Sequence, residues 1–173
     1  MIAYKFLRRD GTAVFSGFTW PLPRSGQAGD WVEAAVDPCR GGIHACRPGD
    51  LPYWAGEVLY EVELDGKIVE QRSKVVAARG RILRRVDVWD EVAAEEYTRM
   101  CADRAHELAL AAERPIPDWA EVARAAVPEG PALLGFCAAR IAEEIDGLAG
   151  YRREREAQSR WLVERLGLGR GKE

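Results

Sequence analysis

The 173 residues are enough for one ordinary domain or a compact domain with a helical appendage, and 47% hydrophobic with 31% charged residues excludes a disordered chain. A formal net charge of −3 supplies no global attraction to nucleic acid or to an anionic membrane, and neither is expected as a partner. No apolar run reaches the roughly 18 to 20 residues that span a bilayer, and "MIAYKFLRRDG" turns charged before a signal-peptide core can form, so a cytoplasmic location with reduced thiols is expected.

In chain order, residues 1–88 consist of short runs rich in Val, Ile, Phe, Tyr and Trp, cut by Gly, Pro and Asp: "IAYKFL", "AVFSGFTW", "DWVEAAV", "GGIHA", "EVLYEVEL", "KIVEQ", "SKVVAA" and "RILRRVDV". These predict strands joined by turns. Asp10-Gly11 and Asp65-Gly66 each stand between apolar runs and predict hairpins. "RPGDLPYW" predicts a Pro-opened helical turn, and "EVLYEVELDG" a strand alternating at Val58, Tyr60, Val62 and Leu64.

Residues 89–167 shift to Ala, Glu, Arg and Leu and predict three or four helices, with 168–173 a frayed tail. The first helix, capped by Asp87 or Asp90, carries Val92, Met100, Leu108 and Ala112 as its apolar stripe with Tyr97 and Cys101 between, and ends at Pro115 and Pro117. A short helix follows from Asp118, then a longer one from Pro131 with Leu134, Cys137, Ile141 and Ile145 buried. The last runs from Tyr151, where Trp161, Leu162 and Leu166 offer a face for a partner or a homo-oligomer. The fold class is therefore α+β, a mostly antiparallel β domain followed by helices.

The densest chemistry is "CRGGIHAC", with two of the four cysteines and one of the two histidines. In a strand of period two, His44 and Cys46 share one face, and the turn at Gly41 and Gly42 brings Cys39 back towards them. His44 and Cys46 are the catalytic candidates, as base and thiolate, with Cys39 a ligand-binding neighbour. Packed thiols and a histidine satisfied by a backbone carbonyl account for the same residues without chemistry. Thiolate and imidazole also suit zinc, but C-x4-H-x-C is not a common structural spacing, and a fourth ligand would have to come from Cys101, His106 or Cys137. No metal or cofactor is assigned.

Asp50 and Trp54 follow the motif closely, and Trp20 belongs to a first half crowded with tryptophans that would wall a pocket; all three are ligand-binding candidates. Arg81 joins them from the cluster Arg79, Arg81, Arg84 and Arg85, which would grip phosphate or, more simply, protect a strand edge. Walker A, G-x-G-x-x-G, G-x-S-x-G and H-E-x-x-H motifs do not occur.

"C-x-x-G-I-H-x-C-x-P-x-D", followed by "EVELDGKI" and "KVVAARGRIL", resembles an uncharacterised bacterial and phage domain family with a G-F-H-x-C core, over about Tyr4 to Val88. Ile43 stands where that family more often has an aromatic residue. The resemblance singles out Cys39, Gly42, His44, Cys46, Asp50 and Gly66 without giving them roles. "GIHA…LPYW…VLYEVEL" also looks like the strand, short helix and strand of ADP-ribosyltransferase-like folds, with His44 in the place of a tyrosine. Two functions are expected as alternatives: a small-molecule or nucleotide-binding domain centred on His44, as a transferase in one version, and a non-catalytic interaction module in which the motif is structural.

Overall fold

Alternating apolar residues between Gly and Pro punctuation produce most of the expected strands, and the computed structural model describes residues 1–38, 40–112 and 130–168. Two compact units, Met1–Trp89 and Asp90–Glu173, are described separately. The α+β class is observed.

The first unit is a five-stranded antiparallel sheet: β1 (Ile2–Leu7), β2 (Val32–Glu33), β3 (Ile43–Ala45), β4 (Val58–Glu70) and β5 (Val75–Arg85), with a 3-10 helix at Pro48–Tyr53 between β3 and β4. β1 pairs β4, β4 pairs β5, and β2 and β3 pair successive stretches of the far edge of β5. Tyr4 and Cys46 then exchange backbone hydrogen bonds at 2.8 and 2.7 Å. That single bridge joins the exit of β3 to β1 and closes the strands into a ring. Inside it lie Ala3, Leu7, Trp20, Ile43, Ala45, Tyr60, Val62, Leu64, Val75, Ala77 and Ile82. The opposite register buries Tyr4, Phe6, Cys46, Leu59 and Val76, so β1 is apolar on both faces where it meets its neighbours.

The hairpin expected at Asp65-Gly66 is instead a bulge. β4 runs on unbroken to Glu70, the register slips between Asp65 and Ile68, and Gly66 takes φ +73°. Asp-Gly serves a bulge as well as a hairpin turn, because both require positive φ, and here the flanking pairing to β5 continues on both sides. The real turn is Gln71–Lys74. Asp10-Gly11 does form a tight turn, with Gly11 N–H donating to Arg8 at 2.9 Å, but "AVFSGFTW" adds only the Thr12–Thr19 bridge rather than a strand.

In the second unit, Asp90 caps α1 (Glu91–Ala111) by accepting from Ala93 N–H at 2.8 Å. Its buried stripe is Ala93, Tyr97, Cys101 and Ala105, and Val92, expected inside, is 56% exposed. Four-residue steps through small residues let the helix seat Tyr97 and Cys101 deeply, which rotates Val92 outwards. α2 (Pro131–Leu166) is broken at Asp146–Gly147, where Gly147 takes φ +57°. Leu134, Cys137 and Ile141 are buried as expected, but Ile145, beside the break, is 43% exposed. The helix expected from Asp118, its flanking prolines and most of the tail lie outside the described residues.

Candidate functional site

β3 places Ile43 and Ala45 in the core and turns His44 outwards, opposite Val76 of β5. Gly42 makes this possible, since at φ +106° a Cβ would stand 2.5 Å from Val76 Cγ1. The imidazole is half-buried, and its Nε2 is buried without a hydrogen-bond partner. Burial first, then the charges of Lys74 and Lys5, hold its pKa below the ordinary value, opposed by a hydrogen bond to the Gly41 backbone. Nε2 is thus the ring nitrogen left for a ligand to meet.

Lys5 is the residue that sequence reasoning missed. It occupies the inward register of β1 between Ala3 and Leu7, opposite Tyr60. Beyond the Tyr4–Cys46 bridge the β1–β3 ladder does not continue; the Lys5 ammonium enters this seam, donates to the His44 carbonyl at 2.7 Å and lies 5.0 Å over the Trp20 ring. Burial pushes its pKa down to about 8, and no carboxylate acts on it to raise it. A signal existed in "IAYKFL": with apolar residues in both registers, a central lysine must sit on a buried face.

The other candidates separate. Cys46 does share the outer face with His44, but it is 2% exposed, and its thiol donates to the Tyr4 carbonyl at 3.3 Å. Burial, then Asp50, push that thiol above its ordinary pKa, which disfavours the thiolate. Asp50 is buried and accepts from Arg47 Nε at 2.6 Å and Arg47 N–H at 3.2 Å, closing the first turn of the 3-10 helix. Arg47 also donates to Gln71 and Arg72 carbonyls and pairs with Glu70, while Trp54 Nε1 donates to the Ser73 carbonyl at 2.5 Å. Asp50 and Trp54 thus hold the 71–74 turn rather than face a ligand with free polar groups. Trp20 is core and underlies Lys5.

Arg81 does not join this group. It pairs with Glu63 at 2.7 Å and stacks 4.7 Å from Trp31, whose ring Arg79 approaches at the same distance. Arg84 pairs with Glu61 and Arg79 with Glu33 and Asp65, so the basic cluster is a neutralised cross-strand ladder. Cys39 lies outside the described residues, and among the described residues no group of three or more His, Cys, Asp or Glu side chains would hold a metal.

The sheet, its Gly42-His44-Cys46 strand and the turn it supports coincide with a family match over residues 1–94. The chain belongs to the DUF7666 family, a domain of unknown function. The match spans the whole sheet unit and the start of α1, further at each end than the resemblance over Tyr4 to Val88. No curated protein and no solved structure matches the chain. Among the described residues, no helix of this DUF7666 protein is long and apolar enough to cross a membrane.

Proposed function

We propose that the DUF7666 domain is a small-molecule-binding domain, acting in the cytoplasm, whose site lies at the β1–β3 seam and takes an anion that also carries a hydroxyl group. One observation supports it above the rest: Lys5 and Lys74, which have no carboxylate partner among the described residues, both act on an imidazole whose Nε2 is buried and unpartnered. Arg47, Arg79, Arg81 and Arg84 of the same unit are all paired with carboxylates. An anion satisfies the lysines and a hydroxyl donates to Nε2. His44 would be the polar centre, and Cys46 keeps a structural role.

Isothermal titration with sugar phosphates and hydroxy acids tests this. One-site binding is expected, weakened about tenfold or more by His44→Ala and by Lys74→Ala, as for loss of a charge-assisted hydrogen bond. No binding from either class, or affinity unchanged in both variants, would refute it.

A second proposal concerns the helical unit, where Leu162 and Leu166 of the expected face are buried, at 0% and 6% exposed, and α2 instead leaves Leu133, Phe136, Ile145 and Leu148 between 38% and 47% exposed. Apolar surface of this kind favours self-association through the helices. Sedimentation velocity is expected to show a concentration-dependent dimer that Leu133→Glu with Phe136→Glu disperses, and a monomer at every concentration would end that proposal.

A further inference from the structure

We infer that the ligand of this seam carries a planar aromatic ring, which makes its chemical class a nucleotide, with the ring on Phe15 and the phosphate at Lys74 and Lys5. This rests on the anion-binding proposal above and goes beyond it by naming the substrate class.

The observation is the loop that follows the Asp10-Gly11 turn. Tyr4, Phe6, Trp20, Tyr60 and Trp89 of this unit are between 1% and 8% exposed, yet Phe15 is 87% exposed, with Val14 and Phe18 at 45% beside it. Neither phenylalanine is adrift. Phe15 meets Trp54 edge to face at 6.1 Å, and Phe18 meets Trp20 in the same way at 5.8 Å. Trp54 holds the Ser73 carbonyl, next in the chain to Lys74, and Lys74 acts on His44. Trp20 lies under Lys5, which holds the His44 carbonyl.

Phe15 and Trp54 thus reach the turn that bears Lys74, which precedes Val75, the partner of Ala45, and so shares the His44 face of the sheet, while Phe18 and Trp20 reach Lys5 and the His44 carbonyl. The loop offers exposed aromatic rings. The seam carries Lys5 and Lys74, which have no carboxylate partner among the described residues, and the unpartnered imidazole Nε2. A phosphate meets the ammoniums, a ribose hydroxyl donates to Nε2, and a base stacks on the exposed ring, so a nucleoside monophosphate supplies a counterpart to each feature. A protein partner docking on Phe15 and Phe18 would leave Lys5 and His44 as they are.

Titration calorimetry on the full chain with AMP, GMP, CMP and UMP, each against ribose 5-phosphate, tests the assignment. At least one nucleotide is expected to bind about tenfold more tightly than ribose 5-phosphate, as a stacked base provides. Phe15→Ala, a change on an exposed loop, is expected to abolish that difference, leaving ribose 5-phosphate affinity and the circular dichroism spectrum unchanged. Equal affinity for all five compounds, with Lys74→Ala still weakening each, would overturn the aromatic assignment and leave the anion site standing. A nucleotide preference that survives Phe15→Ala would overturn the placement of the base. No binding of any of the five would overturn both.

Discussion

Lys5→Met is expected to stabilise the sheet unit by about 1 kcal/mol at pH 7 while abolishing anion binding. A methionine fills much the same volume without a charge, so the cost of holding an ammonium on the inner face disappears. That cost, discounted for the partial exposure of the side chain, is roughly 2 kcal/mol, against about 1 kcal/mol for the lost bond to the His44 carbonyl. The pH dependence carries a definite sign. Because the folded pKa of Lys5 is pushed down to about 8 while the unfolded chain holds its proton to near pH 10.4, the unfolded state binds more protons between those values. Stability from this group therefore rises with pH from about 8, and below that its cost is fully present.

Above pH 9 the raised pKa values of Cys46, Tyr4 and Tyr60 act in the opposite sense, since the folded protein keeps protons that the unfolded chain loses. The quantity to measure is thus the difference between wild type and variant in urea unfolding followed by tryptophan fluorescence. That difference is expected to narrow from pH 7 to pH 9. A variant less stable than wild type at pH 7 would make Lys5 a structural strut.

The second large effect is expected in the helical unit, where Gln158→Leu should cost about 3 kcal/mol. Gln158 is 0% exposed, accepts from Arg155 at 3.0 Å, and donates to the Gly135 carbonyl at 3.0 Å and to Glu154 at 3.1 Å. Arg104 of α1 reaches the same Glu154 at 3.1 Å, so one amide links α1 and both halves of α2. The room is tight: a Cβ on Gly135 would lie 2.8 Å from the Tyr97 hydroxyl and 3.1 Å from Gln158 Oε1. Leucine would leave a buried carboxylate, a buried guanidinium and a carbonyl each short of a partner, which is far costlier than the packing it replaces. Urea unfolding followed at 222 nm is the check, and a loss under 1 kcal/mol would show that water takes over the vacated bonds.

Period two in "GGIHA" was enough to place His44 and Cys46 on one face, because a strand admits no other arrangement. It was silent on depth, and depth decides chemistry: Cys46 is sealed by Tyr4, while His44, two residues away, keeps a free nitrogen. Asp50 and Arg81 looked available because each is charged, but their partners, Arg47 and Glu63, are set by a one-turn helix and a cross-strand register that no local pattern discloses. Lys5 reads as a surface residue until its own strand is recognised as buried on both faces. In "YRREREAQSRW" the charges likewise suggest solvent, although Glu154 and Arg155 are only 3% and 5% exposed.

The pairing of β1 with β4 imposes an order on synthesis. The first strand finds its hydrogen-bond partners only at Val58–Glu63, and the bridge that closes the ring only at Cys46. While the ribosome makes the intervening chain, "IAYKFL" is an unpaired apolar strand able to join a neighbouring nascent chain. Its lysine, a burden once the ring has closed, is at that stage a gatekeeper against such pairing.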